Sequence, residues 1–338
     1  MSKRPNIVLI VADDHRHSAL GAAGLEPVRT PVLDALAHSG VCFRQSHMHG
    51  GVLQAVCAPA RAALHTGMSP FRAAQSACDV DSQGAMSIRS QWPPNLASAH
   101  PFDNGELGVR DEQLLVSPLR EADVREELAA YYAMISHLDA QIGTVLAALE
   151  STGQREETVV VYTADHGIAL GSHGLLGKQN LYDHSVRIPL IASGPGLPQG
   201  RTVEAYTCTC DLYPTLCELA GAPVPDTVEG RSLLPFAEGR REAARPYVGA
   251  AYRYLQRMIK ADGWKLIRYW QDPHTGAGTD RVQLYHLDED PWECRDLAAD
   301  PGQRGRVAEL SRAMKRWLAE TGDPLLDYWT AISMEEAL

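Results

Sequence analysis

Apolar residues along this chain fall into two kinds of run. Short continuous blocks at 6–12, 158–163 and 188–193, rich in β-branched and aliphatic residues and each ending where polar residues begin, predict buried strands. Other stretches repeat at helical spacing: Leu128, Tyr131, Tyr132, Ile135, Leu138, Ile142, Val145 and Leu149 mark one face of a scaffold helix over 122–150. Thr30-Pro31 offers a cap and a proline at the first helical position for a helix over 32–38. Residues 211–221 repeat that grammar with an acidic start and a glycine stop. Strand blocks alternating with amphipathic helices form crossover units, so the predicted fold class is α/β, a large mostly parallel mixed sheet sandwiched by helices.

From residue 246 the pattern changes. Short strands at 247–253, 256–260, 264–269 and 282–287, separated by Gly, Asp and Pro turns, precede a helix near 304–320. They predict a small C-terminal antiparallel sheet with one packing helix. The expected division is a main α/β domain over 1–245 and a subdomain over 246–338, and 338 residues suffice for both. The stretch 75–98 has neither period and reads as irregular loop.

Composition narrows the class. Hydrophobic residues at 45% and charged residues at 22% describe an ordinary globular chain, and a formal charge of -11 supplies no basic face for nucleic acid. No apolar stretch approaches membrane-spanning length, and the apolar run after Met1-Ser2-Lys3-Arg4-Pro5 is too short for a signal peptide. Seven scattered cysteines, an odd number without paired zinc spacing, suit a reducing cytoplasm better than a disulfide scaffold. Cys208-Thr209-Cys210 is a weak metal or redox signal and reads as plain burial on a strand.

Candidate chemistry gathers at strand ends. Asp13-Asp14 follows the first block and Asp165-His166 the block at 158–163, the edge where open α/β sheets bind ligands. Three carboxylates meeting there repel one another unless a cation sits between them, so a hard divalent ion, calcium or magnesium, is expected. Taken singly, each pair is as well explained by a helix cap or a turn. Cys57 opens a helix-forming run with a proline in its first turn, which places it at a helix N-terminus where an anion is favoured. Arg61, one turn on, is positioned to grip a tetrahedral oxyanion with two donors.

Cys57-Ala58-Pro59-Ala60-Arg61 resembles the Cys-x-Pro/Ala-x-Arg signature of the type I sulfatases of the alkaline phosphatase superfamily. The resemblance extends to Pro5 through Asp14, to Ala164-Asp165-His166-Gly167 with Gly171-Ser172-His173-Gly174 and Gly177-Lys178, and to Asp211-Leu212-Tyr213-Pro214. It implies formylglycine made from Cys57 by a formylglycine-generating enzyme, a Ca2+ (or Mg2+) site of Asp13, Asp14, Asp165, His166 and residue 57, and hydrolysis of a small organic or aryl sulfate ester. One hydroxyl of the hydrated aldehyde attacks sulfur and the other helps expel sulfate. Arg61 then orients residue 57, Lys178 neutralises charge on the transferred group, and His173 contacts substrate.

The chain also departs from the family. A Gly-Lys-Trp-His-like segment, which brings a lysine for sulfate and a histidine for the leaving alcohol, is not recognisable, and 75–98 reads as an internal deletion in its place. Ala60 stands where serine is usual. Two alternatives share the scaffold: a phosphonate monoester or phosphodiester hydrolase, and a catalytically impaired remnant that keeps metal and anion binding.

Overall fold

In a computed structural model the described residues are 4–52, 55–73, 94–240, 245–272 and 275–326. Most of the irregular stretch, 74–93, lies outside them. The strands are β1 (Asn6–Ala12), β2 (Val41–Phe43), β3 (Ser46–His47), β4 (Gly50–Gly51), β5 (Thr158–Ala164), β6 (Arg187–Ile188), β7 (Leu190–Ser193), β8 (Arg201–Val203), β9 (Thr207–Cys208), β10 (Val248–Tyr252), β11 (Gln256–Ala261), β12 (Trp264–Tyr269) and β13 (Arg281–His286). The helices are α1 (Pro31–His38), α2 (Cys57–Thr66), α3 (Pro70–Ala73), α4 (Glu121–Ser151), α5 (Asp183–Val186), α6 (Leu212–Ala220), α7 (Leu234–Ala237) and α8 (Arg304–Thr321).

The main sheet has the order β1-β5-β7-β2-β8. β1 and β5 are parallel, β2 and β8 are parallel, and β7 runs against both its neighbours, so four of five strands share one direction. Alternate residues of β5 explain its unbroken apolar run. Val159 and Val161 face Leu64, Leu212 and Phe236 on one side, while Val160 and Tyr162 face Leu33, Leu36 and Ile142 on the other. The single strand expected over 188–193 is two strands. Pro189 has no N–H to give a ladder, so β6 joins the small sheet β6-β3-β9 and β7 joins the main one.

The expected cap of α1 is also corrected. Thr30 makes no cap hydrogen bond; instead Asp139 of α4 accepts from Val32 N at 3.0 Å and Leu33 N at 2.8 Å. A charged acceptor from a neighbouring helix satisfies two orphan donors that a hydroxyl satisfies singly.

The C-terminal strands form an antiparallel sheet, β13-β12-β11-β10, and β4 extends it beside β10. Gly50 permits that junction, because a Cβ there would lie 2.0 Å from the Ala251 carbonyl oxygen. α8 covers one face with Leu310, Met314, Trp317 and Leu318 against Ile259, Leu266 and Leu284. The other face packs Met258, Ile267 and Tyr285 against Leu181 and Tyr182 of the main body.

Candidate active site

β1 and β5 end together, with Ala12 opposite Ala164, so the corners after them leave the sheet at one edge. Asp165 N donates to Ala12 O at 3.1 Å and ties the corners. Glycine is required at 167, where a Cβ would meet the His184 carbonyl oxygen at 2.1 Å. Asp14 has left-handed backbone, φ 57°, which costs a non-glycine residue about 1–2 kcal/mol. The long helix holds it there: the Tyr131 hydroxyl donates to Asp14 O at 2.7 Å and accepts from Arg16 N at 3.0 Å. The apolar period of α4 assigns Tyr131 to a buried face but says nothing of this hydroxyl.

Cys57 is the first residue of α2, half-buried, and the helix aims it at the two corners. One ligand atom each from Asp13, Cys57, Asp165 and His166 all lie within 4.8 Å of one another. His166 Nε2 is 3.6 Å from Asp13 Oδ1 and 3.5 Å from Asp165 Oδ2, buried and with no hydrogen-bond partner among the described residues. A buried nitrogen facing two carboxylate oxygens without bonding either fits a divalent cation between them.

Two of the expected site residues are placed differently. Arg61 is not free to grip an anion: Nε donates to Asp165 Oδ2 at 3.0 Å and Nη2 to Asp13 Oδ2 at 3.0 Å. It aligns the two carboxylates and cancels part of their mutual repulsion. Asp14, expected among the metal ligands, stands outside the four-residue cluster. Its carboxylate takes Lys178 Nζ at 3.1 and 3.3 Å and lies 3.2 Å from His166 Nδ1.

Charges follow from these contacts. Burial works to raise the Asp14 pKa, but the hydrogen bond and charge of His166, with Lys178, outweigh it and bring the group to about 2. Burial raises Asp165, and the nearby Asp13 carboxylate adds to it. For His166 burial favours the neutral ring, yet Asp165 and Asp14 hold its pKa well above the usual histidine range. Burial likewise opposes charge on Lys178, and Asp14 overcomes it.

His173 packs away from the cluster. Its ring stacks on Tyr182 with centroids 3.8 Å apart, and Nε2 bonds the Glu293 carbonyl oxygen at 3.0 Å. Burial lowers its pKa to about 4. Left-handed backbone at Leu170, Gly171, His173 and Gly174 turns this loop toward the C-terminal segment, while Lys178 further on reaches the cluster. None of the described contacts of His173 is with the cluster.

Comparison with known proteins gives the family. The family model described as Sulfatase matches residues 5–100 and 90–222. The chain belongs to the sulfatase family. A second model, N-sulphoglucosamine sulphohydrolase C-terminal, matches 171–320. Arylsulfatase K of Bos taurus is 30% identical over 221 residues, covering 62% of this chain and 39% of that protein, so the chain spans about two fifths of this relative's length. An ulvan-active sulfatase of Formosa agariphila is 26% identical over 431 residues, 95% of this chain and 82% of the other. That alignment is longer than the 338 residues here, so this sulfatase carries inserted sequence that the present chain lacks. The structure of a 2-O GAG sulfatase has the same fold, with a TM-score of 0.78, 22% identity, and coverage of 98% of this chain and 94% of that one. Among the described residues no helix is long and apolar enough to cross a membrane.

Proposed function

We propose that this member of the sulfatase family is a sulfuric ester hydrolase for small organic or aryl sulfates. Formylglycine made from Cys57 serves as nucleophile, and Ca2+ or Mg2+ is held by Asp13, Asp165, His166 and residue 57. The observation that carries this reading is the convergence of those four residues within 4.8 Å at a helix N-terminus.

Charge supports it. Asp13, Asp14 and Asp165 face Arg61 and Lys178, three negative groups against two positive ones. A divalent ion bound through the neutral imidazole leaves one positive charge in excess. The site then suits a singly charged ester, which a sulfate monoester is. When bound, the ion polarises the oxygens of the ester. Arg61 keeps Asp13 and Asp165 in place, and Lys178, only 12% exposed, neutralises charge on the transferred group.

Phosphonate monoesters and phosphodiesters carry the same single charge, so this balance does not separate them from sulfates. The two Sulfatase matches overlap at 90–100, across the end of the irregular stretch 75–98, which supports an internally shortened member lacking the usual lysine and histidine of that segment. Without a general acid, turnover falls by roughly 10²- to 10⁴-fold. The described cysteines are free thiols, which supports a reducing, cytoplasmic setting in which a formylglycine-generating enzyme is the processing partner.

After coexpression with that enzyme, mass spectrometry of the peptide spanning residue 57 is expected to show the aldehyde, and aryl sulfate to turn over faster than aryl phosphonate. The reverse preference assigns the phosphonate reading. Unmodified cysteine without turnover of either ester, with calcium binding retained in calorimetry, identifies a non-catalytic remnant and defeats the proposal.

A further inference from the structure

Cys208-Thr209-Cys210, which as sequence reads as plain burial, lies in the fold against a histidine distant in the chain. β9 pairs in parallel with β3, His47 opposite Cys208, and the chain beyond β3 carries His49 alongside. A ring nitrogen of His49, Cys208 Sγ and Cys210 Sγ all lie within 4.8 Å of one another, and all three residues are buried. The two sulfurs are 2.9 Å apart and both cysteines are free thiols. His49 is 7% exposed, and its Nδ1 is buried with no hydrogen-bond partner among the described residues. A buried imidazole nitrogen left without a partner is unfavourable unless something binds it.

Charge points the same way. Arg245 donates to Cys208 Sγ at 3.0 Å and to both oxygens of Asp211 at 2.6 and 2.8 Å, which favours the thiolate of Cys208. Sulfur and imidazole donors select a borderline-soft ion over calcium or magnesium, and zinc accepts tetrahedral Cys and His ligands.

We propose that His49, Cys208 and Cys210 form a second, structural metal site for Zn2+ or a similar divalent ion, separate from the cluster at Cys57. The ion joins the small β6-β3-β9 sheet to the segment carrying His49. Around it, Ala62 and Ala63 of α2 pack on the two cysteines and Trp317 of α8 lies 6.4 Å from the His49 ring. The site therefore braces the helix that begins with Cys57.

Cobalt tests this on the full chain carrying Cys57→Ser, which removes the only cysteine of the other cluster. A thiolate-to-cobalt charge-transfer band that saturates at one equivalent is expected, displaced by Zn2+. Adding Cys208→Ser and Cys210→Ser should abolish it. His49→Gln keeps both thiolates and should weaken cobalt binding by at least about tenfold, the loss that even an outer-shell partner brings. Absence of the band in the Cys57→Ser chain overturns the proposal. So does a band that survives His49→Gln at full affinity, or a Cys208–Cys210 disulfide found by mass spectrometry in protein purified under reducing conditions.

Discussion

The two clusters beside α2 are built in opposite ways. The one at Cys57 is open: Asp13 is 43% and Arg61 39% exposed, and every carboxylate has a cationic partner before any ion arrives. The one at Cys208 is closed, with Asp211 fully buried and Arg245 its only cationic partner among the described contacts. At the open cluster solvent screens the ion pairs, and a metal there would compete with Arg61 and Lys178 for oxygens. Where nothing enters, an ion contributes to holding the fold together.

The largest effect expected is on turnover. Cys57→Ala should lower kcat by roughly 10⁴- to 10⁶-fold, the range for removing a nucleophile, while leaving the cobalt band of the buried site intact. A loss of that band would mean the clusters are not separate. Next comes stability: Arg245→Ala leaves Asp211 buried and unpaired and should cost about 3–5 kcal/mol in urea unfolding. A midpoint shift under 1 kcal/mol would make the buried cluster as tolerant as a surface ion pair.

Acid should weaken the fold on the open side. Burial holds His15, beside Asp14, and His100 and His173 near the turn before Lys178 at about 4. The unfolded chain takes up these protons near pH 6.5 and the folded one only near 4. Their contribution is complete above pH 6.5 and is lost as pH falls toward 4, on the order of 3 kcal/mol each. Urea midpoints at pH 7 and pH 5 measure it, and equal midpoints would contradict the assignment. The smallest effect is at Tyr131→Phe, expected to cost about 1 kcal/mol and to loosen ion binding at the Cys57 cluster. Unchanged calcium affinity would show that Asp14 is held without that hydroxyl.

Elements long enough to show a period were legible in advance. β1 spans the predicted 6–12, and α4, α6, α8 and the strands from β10 onward fall within a residue or two of their expected places. Strands of two or three residues were not, because β2, β3, β4, β8 and β9 are too short to alternate and are set by their partners. Asp139 as the cap of α1 was equally hidden, since it sits 107 residues along the chain from Val32, which it binds.

The order of residues by itself determined which side chains close each strand and open α2, because a strand-end carboxylate or a helix-start cysteine is a local fact. It therefore determined the family and brought Asp13, Cys57, Asp165 and His166 forward as candidates, with Asp14 among them although the fold leaves it outside the cluster. Only tertiary structure decided how those side chains are spent: Arg61 on two carboxylates, Asp14 on Lys178, His173 on Tyr182. It also decided that His49 meets Cys208 and Cys210, since the pairing of β3 with β9, far apart along the chain, and not local spacing brings them within reach.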